Sequence, residues 1–252
     1  MANGKCALCL LIRDLQISHL MPASLYKKTR TPSATNPNPT LITRRSRVQT
    51  SRQIKDALLC TNCEGLFSRN GENYVMTLVA QQGGTFPLLN ELRAVPATKT
   101  AADFDWYDKT TIPRIDREKL GYFALSVFWR ASVHIWERRD EEPISIDLGP
   151  YEEELRQYLL GQTGFPANVT LHVVVCTDAL SQDMFYAPSR GRKKDDTTYT
   201  FQARGLNFLM TVGKRIPDSI RHSCTLTGPD QWITSRSCED KARQAEARLR
   251  RH

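Results

Sequence analysis

The sequence predicts an α+β protein in two units: a small module over residues 1–75 and a larger α+β domain over 117–252, joined by a connecting region over 76–116. Three observations predict it. Two Cys-x-x-Cys pairs, Cys6 with Cys9 and Cys60 with Cys63, bracket a stretch too poor in apolar residues to build a core of its own. Leu120, Phe123, Ala124, Val127, Phe128 and Ala131 recur at helical spacing within 117–138. Three later runs, 169–176, 198–203 and 207–212, are rich in β-branched and aromatic residues and read as strands. At 252 residues the chain is long enough to bury a core beside such a module.

Element by element, Cys6-Ala7-Leu8-Cys9 leads into an extended stretch over 10–17. Ser18-His19-Leu20-Met21-Pro22 follows, and Pro22 interrupts the strand because it has no N–H to give a ladder. Residues 23–28 can open a helix, and the Pro- and Asn-rich 31–39 is loop. Basic and polar residues fill 41–55. Asp56-Ala57-Leu58-Leu59 then delivers the second pair, Cys60-Thr61-Asn62-Cys63, with a short helix over 64–68. Residues 76–116 have weak periodicity and several prolines. The apolar periodicity of 117–138, with Trp129 and Trp136 adding bulk, predicts one core helix. Pro150 with Glu152, Glu153 and Glu154 marks the start of another, where a proline is tolerated and acids meet the positive dipole end; it stops before Gly161. Arg204-Gly205 reads as the turn of a hairpin, and 237–252 as a charged helix. There is no internal repeat.

Charge narrows the function classes. The net charge is +8, and residues 1–63 carry ten Lys or Arg against Asp14 and Asp56, so this quarter accounts for all of it. A basic surplus gathered on one segment suits phosphate attraction through counterion release, and equally a solvated basic loop. No apolar run approaches the roughly 18 residues that span a bilayer, which argues against a membrane role. The N-terminal apolar patch closes at Arg13 and Asp14 without a cleavage site, so no export signal is expected and the cytoplasm is the expected compartment. Seven cysteines, four of them in pairs, then fit reduced, metal-bound thiolates better than disulfides.

Four thiolates suffice for a closed tetrahedral site, and a two-residue spacer lets both sulfurs of a pair face one ion. Cys6, Cys9, Cys60 and Cys63 are therefore expected to bind one structural Zn2+. The 50 residues between the pairs exceed the about 15 to 20 of simple zinc ribbons. That insert contains His19.

The arrangement of Cys6-x-x-Cys9, Ser18-His19-Leu20-Met21-Pro22 and Leu59-Cys60-Thr61-Asn62-Cys63 resembles the HNH, or His-Me finger, nucleases braced by two zinc knuckles, over about the first 70 residues. It also resembles a bacterial group of uncharacterised HNH-like proteins that share Trp129-Arg130-Ala131-Ser132 and Leu148-Gly149-Pro150-Tyr151-Glu152-Glu153. The resemblance implies a ββα-metal, treble-clef-like module, with His19 as general base for hydrolysis of DNA phosphodiesters and a catalytic Mg2+ or Mn2+. The chain departs from the pattern at three places. Ser18 stands where an acidic or His ligand is expected, and Glu64 where a His follows the second knuckle. The positioning Asn before that knuckle is absent, its stretch being held by Lys55, Asp56 and Ala57. Glu64 offers hard carboxylate oxygens, and Asp56 is a substitute candidate.

Arg44, Arg45, Arg47, Arg52 and Lys55 are the candidate phosphate contacts. No aromatic residues interleave them, so backbone rather than base readout of DNA is expected. Each candidate also has a structural reading: His19 as a zinc ligand or core histidine, Glu64 as a helix N-terminal acid, Ser18 as a cap. Cys176 is expected to be a buried, inert thiol, His134 a structural histidine, and 190–194 a surface loop. Two functions follow: a metal-dependent HNH-like endonuclease, or an inactive zinc module that binds nucleic acid or protein, whether a partner or a second copy.

Overall fold

In the computed structural model the described residues are 2–28, 40–43, 47–49, 53–81, 84–138, 141–192 and 197–240. The N-terminal segment forms β1 (Ala2–Lys5), β2 (Ile12–His19), α1 (Ala23–Lys28), β3 (Thr40–Ile42), β4 (Arg47–Gln49), β5 (Lys55–Cys60) and α2 (Thr61–Phe67). A five-residue π-helical turn (Ser68–Glu72) links α2 without a break to α3 (Asn73–Leu78). The helix after the second cysteine pair thus begins before 64 and runs well past 68. Strands β1, β2 and β5 make an antiparallel sheet in the order β1-β2-β5.

Residues 76–116 contain α4 (Pro87–Arg93), β6 (Lys99–Ala101) and β7 (Phe104–Tyr107). Proline at the first turn of α4 costs that helix no hydrogen bond. Beyond them lie α5 (Arg117–Val133), β8 (Trp136–Arg138), β9 (Glu141–Ile144), α6 (Tyr151–Leu159), β10 (Val169–Cys176), α7 (Ala179–Gln182), β11 (Met184–Arg192), β12 (Thr197–Ala203), β13 (Leu206–Val212), α8 (Asp218–His222) and β14 (Ile233–Arg236). The fold is α+β. A nine-stranded mixed sheet runs β4-β3-β11-β12-β13-β10-β14-β7-β6. Strand β3 enters it parallel to β11, and Tyr26 of α1 stacks on Phe185 at 5.5 Å, so the N-terminal segment contributes to the same sheet.

Helix α5 is the axle. Asp116 caps it, accepting from Lys119 N at 3.0 Å. Thirteen of its residues are buried, all around its circumference, as befits a helix enclosed on every side. One flank packs on the large sheet, where Phe123 and Phe128 meet Phe201 and Phe208 edge-on at 4.9–6.1 Å. The other flank meets α2 through Phe67 on Trp129 and Tyr122, and α6 through the Tyr122 hydroxyl, which donates to Leu159 O at 2.7 Å. At Gly71 the π-helical turn passes so close that a Cβ there would lie 2.7 Å from Phe123 N.

The helix expected over 117–138 stops at Val133, because His134 is extended and Trp136 begins β8. The last carbonyls of α5 find partners without another helical turn. Trp136 Nε1 donates to Arg130 O at 2.8 Å, and Ile146 N to Ala131 O at 2.9 Å. The helix at 151–159 and the three strands form as expected. The β12–β13 turn has positive φ at both Arg204 (49°) and Gly205 (84°), the conformation a two-residue hairpin needs. Of the expected C-terminal helix, 241–252 lie outside the described residues. No helix among the described residues is long and apolar enough to cross a membrane.

Candidate metal centre and the polar cluster beside it

Both cysteine pairs reach one point because of the elements that carry them. Cys6 and Cys9 occupy the turn between β1 and β2, closed by Leu10 N to Cys6 O (2.9 Å) and Cys6 N to Leu11 O (2.9 Å), with Leu10 at φ 62°. Cys60 ends β5 and Cys63 lies in the first turn of α2, where the helix dipole favours a thiolate. All four sulfurs fall within 4.8 Å of one another; Cys6, Cys60 and Cys63 are buried and Cys9 is partly buried. A tetrahedral ion with bonds of about 2.3 Å sets its sulfurs about 3.8 Å apart, and Cys9 Sγ to Cys60 Sγ is 3.9 Å. Cys60 N–H also donates to Cys6 Sγ at 3.3 Å.

Electrostatics point the same way. A hydrogen bond from the Cys63 thiol brings Cys6 down to about 4, while that bond and burial push Cys63 up. One thiolate in this nest suppresses the next, and a cation at the centre removes the conflict. The four cysteines can hold a metal ion, and a closed shell of four thiolates leaves no position for a reacting water. Helix α6 grips this cluster. Arg156 of α6 donates to Leu8 O at 2.7 Å, inside the first knuckle, and is itself held by Glu153 at 2.6 Å.

At the end of β2, Ser18 and His19 occupy consecutive strand positions and so project to opposite faces. Ser18 is fully buried; its hydroxyl donates to Glu64 Oε1 and accepts from Leu59 N at 3.1 Å. Burial raises the Glu64 carboxyl, opposed by that hydrogen bond. His19 instead pairs its Nε2 with Gln53 Oε1 at 2.7 Å. Burial holds its imidazole below the ordinary 6.5, and Lys55 and Arg130 push in the same direction against the bond to Gln53. Asp56 opposes Ser18 in the ladder but turns its carboxylate outward to His134 Nε2, 3.0 Å away.

The structure therefore brings together Ser18 with Glu64, and His19 with Gln53, and sends Asp56 elsewhere. Among the candidate phosphate contacts, Lys55 is exposed opposite His19 in the ladder and Arg47 begins β4, while Arg44, Arg45 and Arg52 lie outside the described residues. His134 lies just beyond α5 and Cys176 is buried in β10.

Three residues of this cluster were not among the candidates: Gln53 on the His19 ring, Arg130, which donates to His19 O at 2.6 Å, and Glu72, which accepts from Arg130 at 2.8 Å. Arg130 carried a signal, a charge inside an apolar helical run, and such residues are almost never fully buried unless paired. Gln53 carried none. Comparison with protein-family models, with curated proteins and with solved structures finds no match.

Proposed function

We propose that the protein is a zinc-braced, HNH-like phosphodiesterase acting on DNA, with β2, β5 and α2 as its ββα module and His19 as its general base. The observation that carries the reading is the setting of His19. It ends β2, whose ladder partner β5 delivers Cys60 to the four-cysteine cluster; its ring is paired with Gln53, and burial holds the imidazole below its ordinary value. Because the Gln53 carbonyl accepts from Nε2–H, the lone pair lies on Nδ1, and Nδ1 takes the proton of the attacking water. The zinc on Cys6, Cys9, Cys60 and Cys63 braces the hairpin against α2 and takes no part in the reaction.

Glu64 supplies the carboxylate for a Mg2+ or Mn2+ ion. Such ions keep several waters and often use only one or two protein carboxylates plus a substrate phosphate, so a single half-buried carboxylate can take part. When bound, such an ion would stabilise the negative charge that develops on the phosphate oxygens. Ser18, buried and bonded to Glu64, orients that carboxylate. Lys55, with Arg47 and the neighbouring arginines, engages backbone phosphates.

A second reading, an inactive zinc module that binds nucleic acid or a protein, is favoured by two observations. Ser18, which is bonded to Glu64, and His19 project to opposite faces of β2, so the carboxylate and the base are not drawn to one point by the strand. Among the described residues the four cysteines are the only group of three or more His, Cys, Asp or Glu placed to share an ion. Plasmid nicking separates the two. The first expects Mg2+- or Mn2+-dependent nicking that His19→Ala abolishes with zinc content unchanged. Undiminished cleavage by that variant sinks the mechanism, and salt-sensitive binding without turnover under any metal establishes the second.

A further inference from the structure

We infer that Arg130, anchored by Glu72, is the positioning residue of the His19 site, so that the larger domain sets the geometry of the hairpin; the inference rests on reading His19 as the base.

The β2–β5 ladder ends at the pair His19 and Lys55. Arg130, deep in α5 and 111 residues away, donates from Nη1 to the His19 carbonyl at 2.6 Å, a short charge-assisted bond. Its other donors fix the fork. Nη2 reaches Glu72 Oε1 at 2.8 Å and Ser126 Oγ at 3.2 Å, Nε reaches Ser126 O at 3.2 Å, and the guanidinium lies 5.2 Å from the centroid of Phe67. With 1% of its side chain exposed, Arg130 has no rotamer freedom left. Glu72 closes the π-helical turn, and such turns recur at functional sites because they re-aim a side chain out of helical register.

The consequence is that His19 is held at two points, Gln53 on its ring and Arg130 on its backbone. A buried charge pair is a poor device for stability, since an apolar pair of similar volume does as well or better. What an apolar pair cannot reproduce is the donor on the His19 carbonyl. Loss of that donor frees the strand end, and misplacement of a catalytic group by about 1 Å costs on the order of 100-fold.

The test uses the full zinc-loaded chain carrying Arg130→Met with Glu72→Leu. The expected result is wild-type zinc content, a melting temperature lowered by about 2–12 °C for the acceptors left without Arg130, kcat for nicking lowered roughly 10- to 100-fold with KM unchanged, and His19 ring-nitrogen NMR shifts moved towards those of a free imidazole. Wild-type kcat in the double variant overturns the inference. If the wild-type chain cleaves nothing under any metal, the nuclease reading fails and the ring shifts decide: moved shifts sustain the positioning role, unmoved shifts overturn it. Should the double variant not fold, isosteric Glu72→Gln takes its place. A fall in kcat of roughly threefold or more, with moved ring shifts, supports the anchor; unchanged kcat and shifts overturn it.

Discussion

Replacing Gly71 by alanine tests whether the π-helical turn and α5 are in backbone contact. The added Cβ would come within 2.7 Å of Phe123 N, 2.9 Å of its Cα and 3.0 Å of its Cβ, where ordinary contact begins at 3.4 Å. The shortfall is about 0.7 Å against backbone of a fully enclosed helix, so the two segments must part. Overpacking of this kind costs about 1–3 kcal/mol, which at roughly 2–4 °C per kcal/mol lowers the melting temperature by about 2–12 °C. Gly121→Ala is the control. Its Cβ would lie even closer, 2.5 Å from Leu226 Cδ1 and 2.9 Å from its Cγ, but against a partly buried side chain rather than backbone. Scanning calorimetry of the zinc-loaded proteins should show Gly71→Ala losing at least twice as much as Gly121→Ala. A Gly71→Ala melting temperature within about 1 °C of wild type, or a larger loss at Gly121, refutes the argument.

Two further outcomes are expected. Elemental analysis should find one zinc per chain, and chelation or Cys63→Ala should lower the melting temperature sharply, since a structural zinc contributes about 10–16 kcal/mol of apparent binding energy in small modules. Equal melting with and without metal would show that the sulfurs brace nothing. His172 gives a pH dependence: burial holds its imidazole below 6.5, with Nε2 against Ile220 O and Ser223 Oγ. Below 6.5 the unfolded chain gains a proton that the folded chain refuses, so stability falls as pH drops through that value, by up to about 1.4 kcal/mol per pH unit. Denaturant titrations from pH 7 to 5 should give a flatter profile for His172→Gln, and parallel profiles would exclude His172 as the source.

Much of the fold was legible where the signal is local. Strands β10, β12 and β13 announce themselves by β-branched and aromatic runs, and α6 by Pro150 and its acids. The overrun of α5 to 138 has a local cause: Trp136 fits the apolar spacing of a helix, yet its indole N–H reaches back to Arg130 O from a strand. The three-residue β3 carries too little sequence to read, and its place beside β11 depends on a partner some 140 residues distant.

The sequence by itself determined the two cysteine pairs as candidate metal ligands, because Cys-x-x-Cys spacing lets both sulfurs of a pair face one ion; the β2–β5 ladder decided that the pairs meet. The sequence also determined the mixed α+β class and singled out His19 between the two pairs. Only the tertiary structure decided how His19 is held. The donor to its carbonyl comes from α5, the anchor of that donor from a π-helical turn, and the clasp on the first knuckle from α6. Those contacts form because one buried helix packs against the large sheet on one flank and α2 on the other. No spacing within a single segment encodes such a sandwich.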